Sequence, residues 1–263
     1  MVTIPKPNLN DYQAFLLDVD GVIVCGEQPL PGAVASVGLL QQRGKVLFFS
    51  NNASLSPDAY AHKLRALGID VSPEQILNSG SLVTRYLDQH ASQDAVYVVG
   101  EPGLCEEVAR AGHPLDAPSA TWLVTSVDRK FSYDKLNLGL QVLLRGGRWV
   151  ASNTDEVYPT PEGFVPGAGS IVGAFCGMGF VPEIVVGKPS KFSMDQALSA
   201  LNVTDPKRVL MIGDRLQSDI QGAHLVGIDS VLLLCGVTQP AQLKQSDLKP
   251  TFVAQDLRSL LEG

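Results

Sequence analysis

The chain has 263 residues, 45% of them hydrophobic, which is enough for a core domain plus a second domain. Its formal net charge of −7 argues against a nucleic-acid partner, because such proteins present a basic face to phosphates. A small anionic substrate stays open, since lysine side chains, backbone N–H groups and a bound cation can reverse the field inside one pocket.

The sequence also limits location and cysteine chemistry. The first residues carry no basic stretch followed by an apolar run, and no apolar run approaches the length of a membrane span, so we expect a cytoplasmic protein with no membrane partner. The cysteines lack CxxC spacing, which predicts free thiols and neither a zinc site nor a disulfide framework. They are Cys25, Cys105, Cys176 and Cys235.

The first quarter of the chain has a strand, helix, strand pattern. Residues 14–19 (AFLLDV) and 45–49 (KVLFF) are short apolar runs that end in polar residues, which is typical of buried parallel strands. Residues 31–43 between them have helical periodicity, with Pro31 suited to the first turn and Gly44 to the position after the helix. The pattern predicts a βαβ unit.

The C-terminal part repeats this pattern. Residues 208–212 (RVLMI) and 230–234 (SVLLL) predict strands, and residues 217–226 predict the helix between them. The middle of the chain has strand-like runs of its own at 96–99, 122–125 and 148–152, and at least two helices. It is long enough to be a separate domain.

Polar side chains follow four of the predicted strands. Asp18 and Asp20 end the first strand, Ser50 ends the second, and Asp214 follows the strand 208–212. Lys188 follows a fourth apolar run, residues 183–186. Because ligands bind at the carboxyl ends of strands in open parallel sheets, we expect these side chains to meet at one site. We therefore interpret the middle as an insertion, with a core of residues 1–79 and 182–263 and a cap of residues 80–181.

These residue types suit phosphoryl transfer, which needs a nucleophile, a divalent cation, a positive side chain and a proton donor. Asp18 can be the carboxylate nucleophile, and Asp20 can protonate the leaving group and later deprotonate water. Lys188 can offset the anionic charge around Asp18. Mg²⁺ prefers oxygen ligands, which Asp18, a backbone carbonyl of Asp20, Asp214 and Asp219 can supply.

The phosphate oxygens of a substrate need hydrogen-bond donors at the same edge of the sheet. We expect Ser50 and the N–H groups of its loop to hold them, which makes Gly21, Ser50, Asn51, Asn52 and Lys188 the candidate phosphate-binding residues. Candidate substrate contacts in the cap are Asp128, Arg129, Asn153 and Asp155, although ordinary turn roles are open for them too.

Four motifs in order resemble those of the haloacid dehalogenase-like superfamily: DVDGV (18–22), SNN (50–52), GKP (187–189) and GDRLQSD (213–219). Longer phrases, including SNTDEVYPT (152–160) and PGAGSI (166–171), are similar to the NagD-like, 4-nitrophenylphosphatase branch. The resemblance implies an α/β fold with a Rossmann-like doubly wound parallel-sheet core and an inserted α/β cap. It also implies Mg²⁺-dependent hydrolysis of small phosphomonoesters and a homodimer formed through the caps.

The substrate stays open among 4-nitrophenyl phosphate-like esters, sugar phosphates, phosphoglycolate, pyridoxal phosphate and nucleoside monophosphates. Two other functions compete with the phosphatase: a phospho-aspartate receiver module and a non-catalytic binder of phosphorylated metabolites. A receiver needs neither Asp20 nor a large insertion. The segment 167–173 (GAGSIVG) is similar to a dinucleotide fingerprint, but its GxGxxxG spacing favours a glycine-rich helix entry.

Overall fold

The computed structural model describes residues 7–261. Its strands in chain order are β1 (Ala14–Leu17), β2 (Val24–Cys25), β3 (Gln28–Pro29), β4 (Lys45–Ser50), β5 (Ile76–Asn78), β6 (Val96–Val99), β7 (Trp122–Thr125), β8 (Arg148–Ala151), β9 (Val157–Thr160), β10 (Gly163–Pro166), β11 (Ile184–Val185), β12 (Val209–Gly213), β13 (Asp229–Leu233) and β14 (Phe252–Ala254).

Its α-helices in chain order are α1 (Ala33–Arg43), α2 (Pro57–Ala66), α3 (Ser79–His90), α4 (Pro102–Arg110), α5 (Tyr133–Leu144), α6 (Ala168–Cys176), α7 (Lys191–Leu201), α8 (Gln221–Val226), α9 (Pro240–Gln245) and α10 (Leu257–Leu261). Short 3₁₀ helices lie at Leu9–Asp11, Pro73–Gln75 and Pro206–Arg208, and a π-helical turn lies at Leu216–Ile220.

The core is a six-stranded parallel sheet with the strand order β14-β13-β12-β1-β4-β5. In the central strand β1, Phe15 and Leu17 pack into one hydrophobic cluster and Ala14 and Leu16 into another, all with no exposed surface. Alternate side chains therefore face opposite layers, which explains why the strand has an uninterrupted apolar sequence. Full burial of each Phe or Leu stabilises the fold by about 1.5–3 kcal/mol.

A second parallel sheet, in the order β11-β8-β7-β6, forms the cap together with the antiparallel hairpin β9–β10. Trp149 packs against Phe175 of α6 within its own hydrophobic cluster. The Rossmann-like α/β fold with two parallel sheets is thus confirmed. β11 lies beyond residue 181, so the second sheet extends past the predicted end of the cap. The domain limits stay a prediction, and residues 1–6 and 262–263 of the predicted core lie outside the described residues.

Local signals in the sequence account for several element ends. The Ser56 side chain accepts a hydrogen bond from Ala59 N at the start of α2, and Gly68 has φ +92° after its end. The glycine-rich segment 167–173 begins α6, as expected, and Gly169 packs against Thr154 O, where a Cβ would lie 2.5 Å from that oxygen.

The segment 217–226, predicted as a helix, is helical throughout, but its first half is not α-helical. The chain there forms the π-helical turn Leu216–Ile220 before α8 begins. The wider turn lets Asp219 fold back, so that its Oδ2 accepts hydrogen bonds from the backbone N–H groups of Asp214 and Arg215. π-Turns of this kind concentrate at functional sites.

Cys25, Cys105, Cys176 and Cys235 are free cysteines in the structure. Among residues 7–261, none of the helices combines the length and the apolar character that crossing a membrane requires.

Candidate active site

The carboxyl ends of β1, β4 and β12 meet at a cavity of about 470 Å³ between the core and the cap. Asp18 and Asp20 follow β1, Ser50 ends β4, and Asp214 follows β12. The structure thus brings together the strand-end residues that the sequence separates by up to two hundred positions. Lys188 enters the same cavity from the loop before α7.

Lys188 connects the nucleophile candidate to the acidic cluster. Its Nζ donates hydrogen bonds to Asp18 Oδ1 at 2.7 Å, to Asp219 Oδ1 at 2.6 Å and to Phe49 O at 2.8 Å. The residue is only 2% exposed. Burial opposes its charge, but the Asp18 and Asp219 carboxylates outweigh burial and raise the pKa of Lys188, so the side chain is an ammonium at neutral pH.

Asp18, Asp214 and Asp219 each offer a carboxylate oxygen, and these atoms all lie within 4.8 Å of one another. The Asp214 Oδ1 atom is buried and has no hydrogen-bond partner. Burial, followed by the neighbouring Asp219, raises the pKa of Asp214 to about 7. Burial likewise raises the pKa of Asp18 well above its usual range, although Lys188 opposes it. A divalent cation would relieve this crowding and engage the orphaned oxygen, so the donor set fits such an ion.

Two glycines leave room for Asp214. Gly21 has φ +92°, and a Cβ there would lie 2.5 Å from Asp214 Oδ2; a Cβ on Gly236 would lie 1.9 Å from the same atom. Gly21 N donates to Val24 O at 2.7 Å. The observed role of Gly21 is therefore to admit the carboxylate, and phosphate binding by its N–H stays a prediction.

Hydroxyl groups hold both oxygens of the Asp20 carboxylate. Ser50 Oγ at 3.1 Å and Tyr60 Oη at 2.8 Å donate to Oδ2, and Tyr158 Oη donates to Oδ1 at 2.6 Å. Tyr60 comes from α2 and Tyr158 from β9 of the cap. Burial and the Asp20 carboxylate raise the pKa of both tyrosines, so both are hydroxyl donors near neutral pH.

The side chains of the predicted phosphate loop are engaged mainly with the protein. Asn51 Oδ1 accepts from Lys188 N at 2.8 Å, and Asn51 Nδ2 donates to Lys188 O and to Asp155 Oδ1. Asn52 Oδ1 accepts from Ser54 N at 2.9 Å. Asn51 therefore ties the Lys188 loop to the cap, while phosphate contacts of this loop stay a prediction.

The candidate substrate residues of the cap, Asp128, Arg129, Asn153 and Asp155, all line the cavity. The Asp128 carboxylate is taken up by Lys135 Nζ and by Lys130 N. Arg129 is more open, because its side chain is 58% exposed and its guanidinium lies 3.6 Å from Glu101. Asp128 thus shapes its loop, whereas Arg129 is open to a ligand.

Asn153 and Asp155 hold the cap to the core. Asn153 Nδ2 donates to Asn51 O at 2.6 Å, and Asn153 Oδ1 accepts from Asp155 N. Burial raises the pKa of Asp155, although Arg215 opposes the shift. Both amide atoms of Asn153 and the Oδ1 atom of Asp155 are bonded within the protein, which favours an architectural role over direct substrate contact.

Three residues in the cavity or beside it were missed from the sequence: Tyr60, Tyr158 and Arg215. Arg215 Nη2 donates to Val157 O at 2.6 Å. Burial opposes its charge, but carboxylates led by Asp155 and Asp214 raise the pKa of Arg215. Arg215 directly follows Asp214 in GDRLQSD and could have been singled out, whereas the tyrosines have no spacing signal relative to Asp20.

Comparisons with known proteins identify the family of this chain. A haloacid dehalogenase-like hydrolase profile matches residues 15–114, and an HAD-hydrolase-like profile matches residues 185–260. The 5′-nucleotidase YutF of Bacillus subtilis is 30% identical over 250 residues, which is 95% of this chain and 97% of that protein.

Solved structures are similar over the same extent. A 4-nitrophenylphosphatase from Thermotoga maritima has a TM-score of 0.89 and 30% identity, covering 97% of this chain and 98% of that one. A glycerol phosphate phosphatase from Mycobacterium tuberculosis, solved in complex with magnesium, has a TM-score of 0.87 and 31% identity over 97% of this chain and 78% of its own. This chain therefore belongs to the haloacid dehalogenase-like hydrolase family and is a phosphoric monoester hydrolase.

Proposed function

We propose that the protein is a Mg²⁺-dependent phosphatase that hydrolyses small phosphomonoesters through an aspartyl-phosphate on Asp18. The observation that carries this proposal is the meeting of Asp18, Lys188 and the Asp214–Asp219 pair at one end of a capped cavity. A nucleophile, a cation and a metal-binding carboxylate set are the components that phosphoryl transfer needs.

In this proposal Asp18, Asp214, Asp219 and the backbone carbonyl of Asp20 hold the ion. Mg²⁺ bound there would supply positive charge to neutralise the phosphate oxygens. The orphaned Asp214 Oδ1 and the all-oxygen donor set support a hard cation. The relative from Mycobacterium tuberculosis has been solved with magnesium and with calcium, which supports a divalent ion of this class.

In the first step, a carboxylate oxygen of Asp18 attacks phosphorus, and the bond from phosphorus to the ester oxygen breaks. Asp20, acting as general acid, gives its proton to the departing oxygen, which leaves as an alcohol. In the second step water attacks phosphorus, Asp20 takes a proton from that water, and Asp18 leaves as a carboxylate. Lys188 keeps the Asp18 carboxylate oriented through the 2.7 Å hydrogen bond.

The walls of the cavity suggest a preference among substrates. Its cap side includes the apolar residues Val127, Phe131, Val165 and Ile171. The polar side chains of Asn153, Asp155 and Asp128 are already bonded within the protein. A polyhydroxylated leaving group would leave some hydroxyls unpaired there, which costs free energy. We therefore expect esters with an apolar body, such as aryl phosphates, to be better substrates than sugar phosphates.

We further propose core limits at residues 1–79 and 182–263, a cap of residues 80–181, and a homodimer formed through the caps. The dimer rests on the family resemblance, and such a contact could cover the exposed apolar side chains at the two ends of α5: Tyr133 is 83% and Leu144 62% exposed. Light scattering on the wild-type protein and on Leu144→Glu tests it, and a monomer in both samples contradicts it. The cytoplasmic location stays a prediction from the sequence.

A panel of phosphomonoesters, assayed with Mg²⁺ and with a chelator, tests the function. We expect Mg²⁺-dependent phosphate release that Asp18→Asn abolishes and that the exposed-site control Asp195→Asn retains. Phosphate release by Asp18→Asn at the wild-type rate would show that Asp18 is not the nucleophile. Full activity in the chelator would show that the reaction needs no metal ion.

A further inference from the structure

The Asp20 carboxylate receives hydroxyl donors from both sides of the cavity. Its Oδ2 is bonded by Ser50 and Tyr60, which belong to the core, and its Oδ1 is bonded at 2.6 Å by Tyr158, which belongs to the cap. Asp20, the proposed acid and base, belongs to the core. It is therefore oriented in part by Tyr158, a residue of the cap.

The strand that carries Tyr158 is itself seated on the core. The carbonyl of Val157, the preceding residue, accepts the 2.6 Å hydrogen bond from Arg215, and Asn52 Nδ2 donates to Tyr158 Oη at 3.4 Å. Within its own hairpin Tyr158 pairs with Val165 of β10. The Tyr158 hydroxyl thus reaches Asp20 from a strand that is itself bonded to Arg215 of the core.

We propose that Tyr158 is a positioning residue that orients Asp20 for proton transfer and makes this orientation depend on the seating of the cap. The proposal rests on the proposed function, in which Asp20 protonates the leaving oxygen. Two donors on Oδ2 hold one end of the carboxylate, and Tyr158 fixes the other end. Small errors in the placement of a catalytic group lower the rate substantially, because proton transfer needs a hydrogen-bonded geometry.

A purely structural role for Tyr158 predicts different kinetics from a positioning role. If the residue only attached the cap, its loss would weaken substrate binding or folding and would affect all esters alike. A positioning role acts on the proton transfer, so its loss must matter most for esters whose leaving group needs a proton. Phenyl phosphate and 4-nitrophenyl phosphate form a matched pair for this comparison, because phenolate is the more basic leaving group.

The test measures kcat and KM of Tyr158→Phe with both esters, and the inhibition constant of inorganic phosphate. We expect kcat/KM for phenyl phosphate to fall about 10-fold, as a fraction of the 10²–10⁴-fold worth of general acid catalysis, and that for 4-nitrophenyl phosphate to fall less than about 2-fold. The inhibition constant of phosphate is expected to be unchanged. Tyr86→Phe is the control, because it loses a comparable 2.8 Å hydroxyl-to-carboxylate bond, to Glu183, at a residue that does not line the cavity.

Asp20→Asn separates failure of this inference from failure of the proposed function. If Asp20→Asn loses far more activity with phenyl than with 4-nitrophenyl phosphate while Tyr158→Phe loses both equally or neither, the Tyr158 proposal is wrong and the mechanism stands. If Asp20→Asn itself shows no dependence on the leaving group, Asp20 is not the acid, and the Tyr158 proposal falls with that assignment, whereas the phosphatase proposal is tested separately by Asp18→Asn.

Discussion

The ammonium of Lys188 lies 2.7 Å from the carboxylate of Asp18, and both residues are almost entirely withdrawn from solvent. The same ammonium bonds Asp219 at 2.6 Å. Lys188, with Arg215 beside it, thus faces a larger number of buried carboxylates. We propose that this imbalance favours a bound cation and makes the site sensitive to substitution.

Removing Lys188 should therefore damage stability as well as turnover. We expect Lys188→Met to lose activity and to lower the free energy of unfolding by about 3–5 kcal/mol, because it leaves buried charge uncompensated. Urea unfolding in a chelator measures this directly. The exposed Lys191, paired with Asp195 at 2.7 Å, is the matched control, and Lys191→Met should cost less than about 0.5 kcal/mol. Equal costs for the two variants would contradict this account.

The close approach of Gly21 to Asp214 gives a second prediction. Gly21→Ala combines the strain of an L residue in the left-handed region with displacement of the Asp214 carboxylate, so we expect activity to fall by about 100-fold or more. Gly112 has nearly the same φ, +91°, but nothing within 4 Å of its added Cβ. Gly112→Ala should pay only the strain of about 1–2 kcal/mol and keep its activity. A fully active Gly21→Ala enzyme would show that activity does not depend on the observed position of the Asp214 carboxylate.

The orphaned Asp214 oxygen predicts a thermal effect of metal. At about one hundred times the dissociation constant, Mg²⁺ should stabilise the fold by about 2.7 kcal/mol and raise Tm by about 5–10 °C. Asp214→Asn should lose this shift, and its metal-free form should be at least as stable as wild type because a crowded buried charge is gone. Asp195→Asn should keep the whole shift. A full Mg²⁺ response in Asp214→Asn would contradict the proposed ligand set.

A pH dependence is expected outside the site, at Glu183. Hydrogen bonding from Arg148, with Nε at 2.6 Å, holds the pKa of Glu183 below its usual 4.5. The contribution of this carboxylate to stability is therefore present above about pH 4.5 and is lost as the pH falls through the lower folded-state pKa. Since the side chain is 35% exposed, solvent screening limits the effect to less than about 1 kcal/mol.

Urea unfolding of wild type and Glu183→Gln tests this sign. The stability difference between them should be largest near neutral pH and shrink progressively as the pH falls below about 4.5. The exposed Glu162 in the turn between β9 and β10 provides the control, because Glu162→Gln should differ from wild type by the same small amount at both pH values. A Glu183→Gln difference that grows in acid would reverse the assignment.

The sequence predicts the core of this site because strand ends are visible in it. Apolar runs closed by Asp18, Ser50 and Asp214 mark where parallel strands stop, and parallel strands stop at a common edge. Lys188 was predicted for the same reason, although β11 before it is only a two-residue strand. The residue types at the strand ends were therefore enough to predict the parallel sheet and the main charged groups of the site.

Contacts that depend on tertiary placement could not be predicted in this way. The Tyr158 hydroxyl reaches Asp20 across 138 positions of sequence, through the seating of a hairpin on another sheet. The π-helical turn before α8 also lacks a periodicity signal, and it is accompanied by hydrogen bonds from the N–H groups of Asp214 and Arg215 to the Asp219 side chain. Both are long-range or side-chain-driven features that a residue pattern does not encode.

The central claim is that the phosphoryl group is transferred to Asp18. Trapping the phosphorylated protein tests this claim most directly. Asp20→Asn lacks the base for the second step, whereas 4-nitrophenolate needs little help from an acid to leave, so this variant should accumulate the intermediate. Rapid acid quenching followed by peptide mass spectrometry should find one phosphoryl group on Asp18, together with a burst of 4-nitrophenolate close to one per active site. Continued turnover with no burst and an unmodified Asp18, or a phosphoryl group on another residue, would contradict the account.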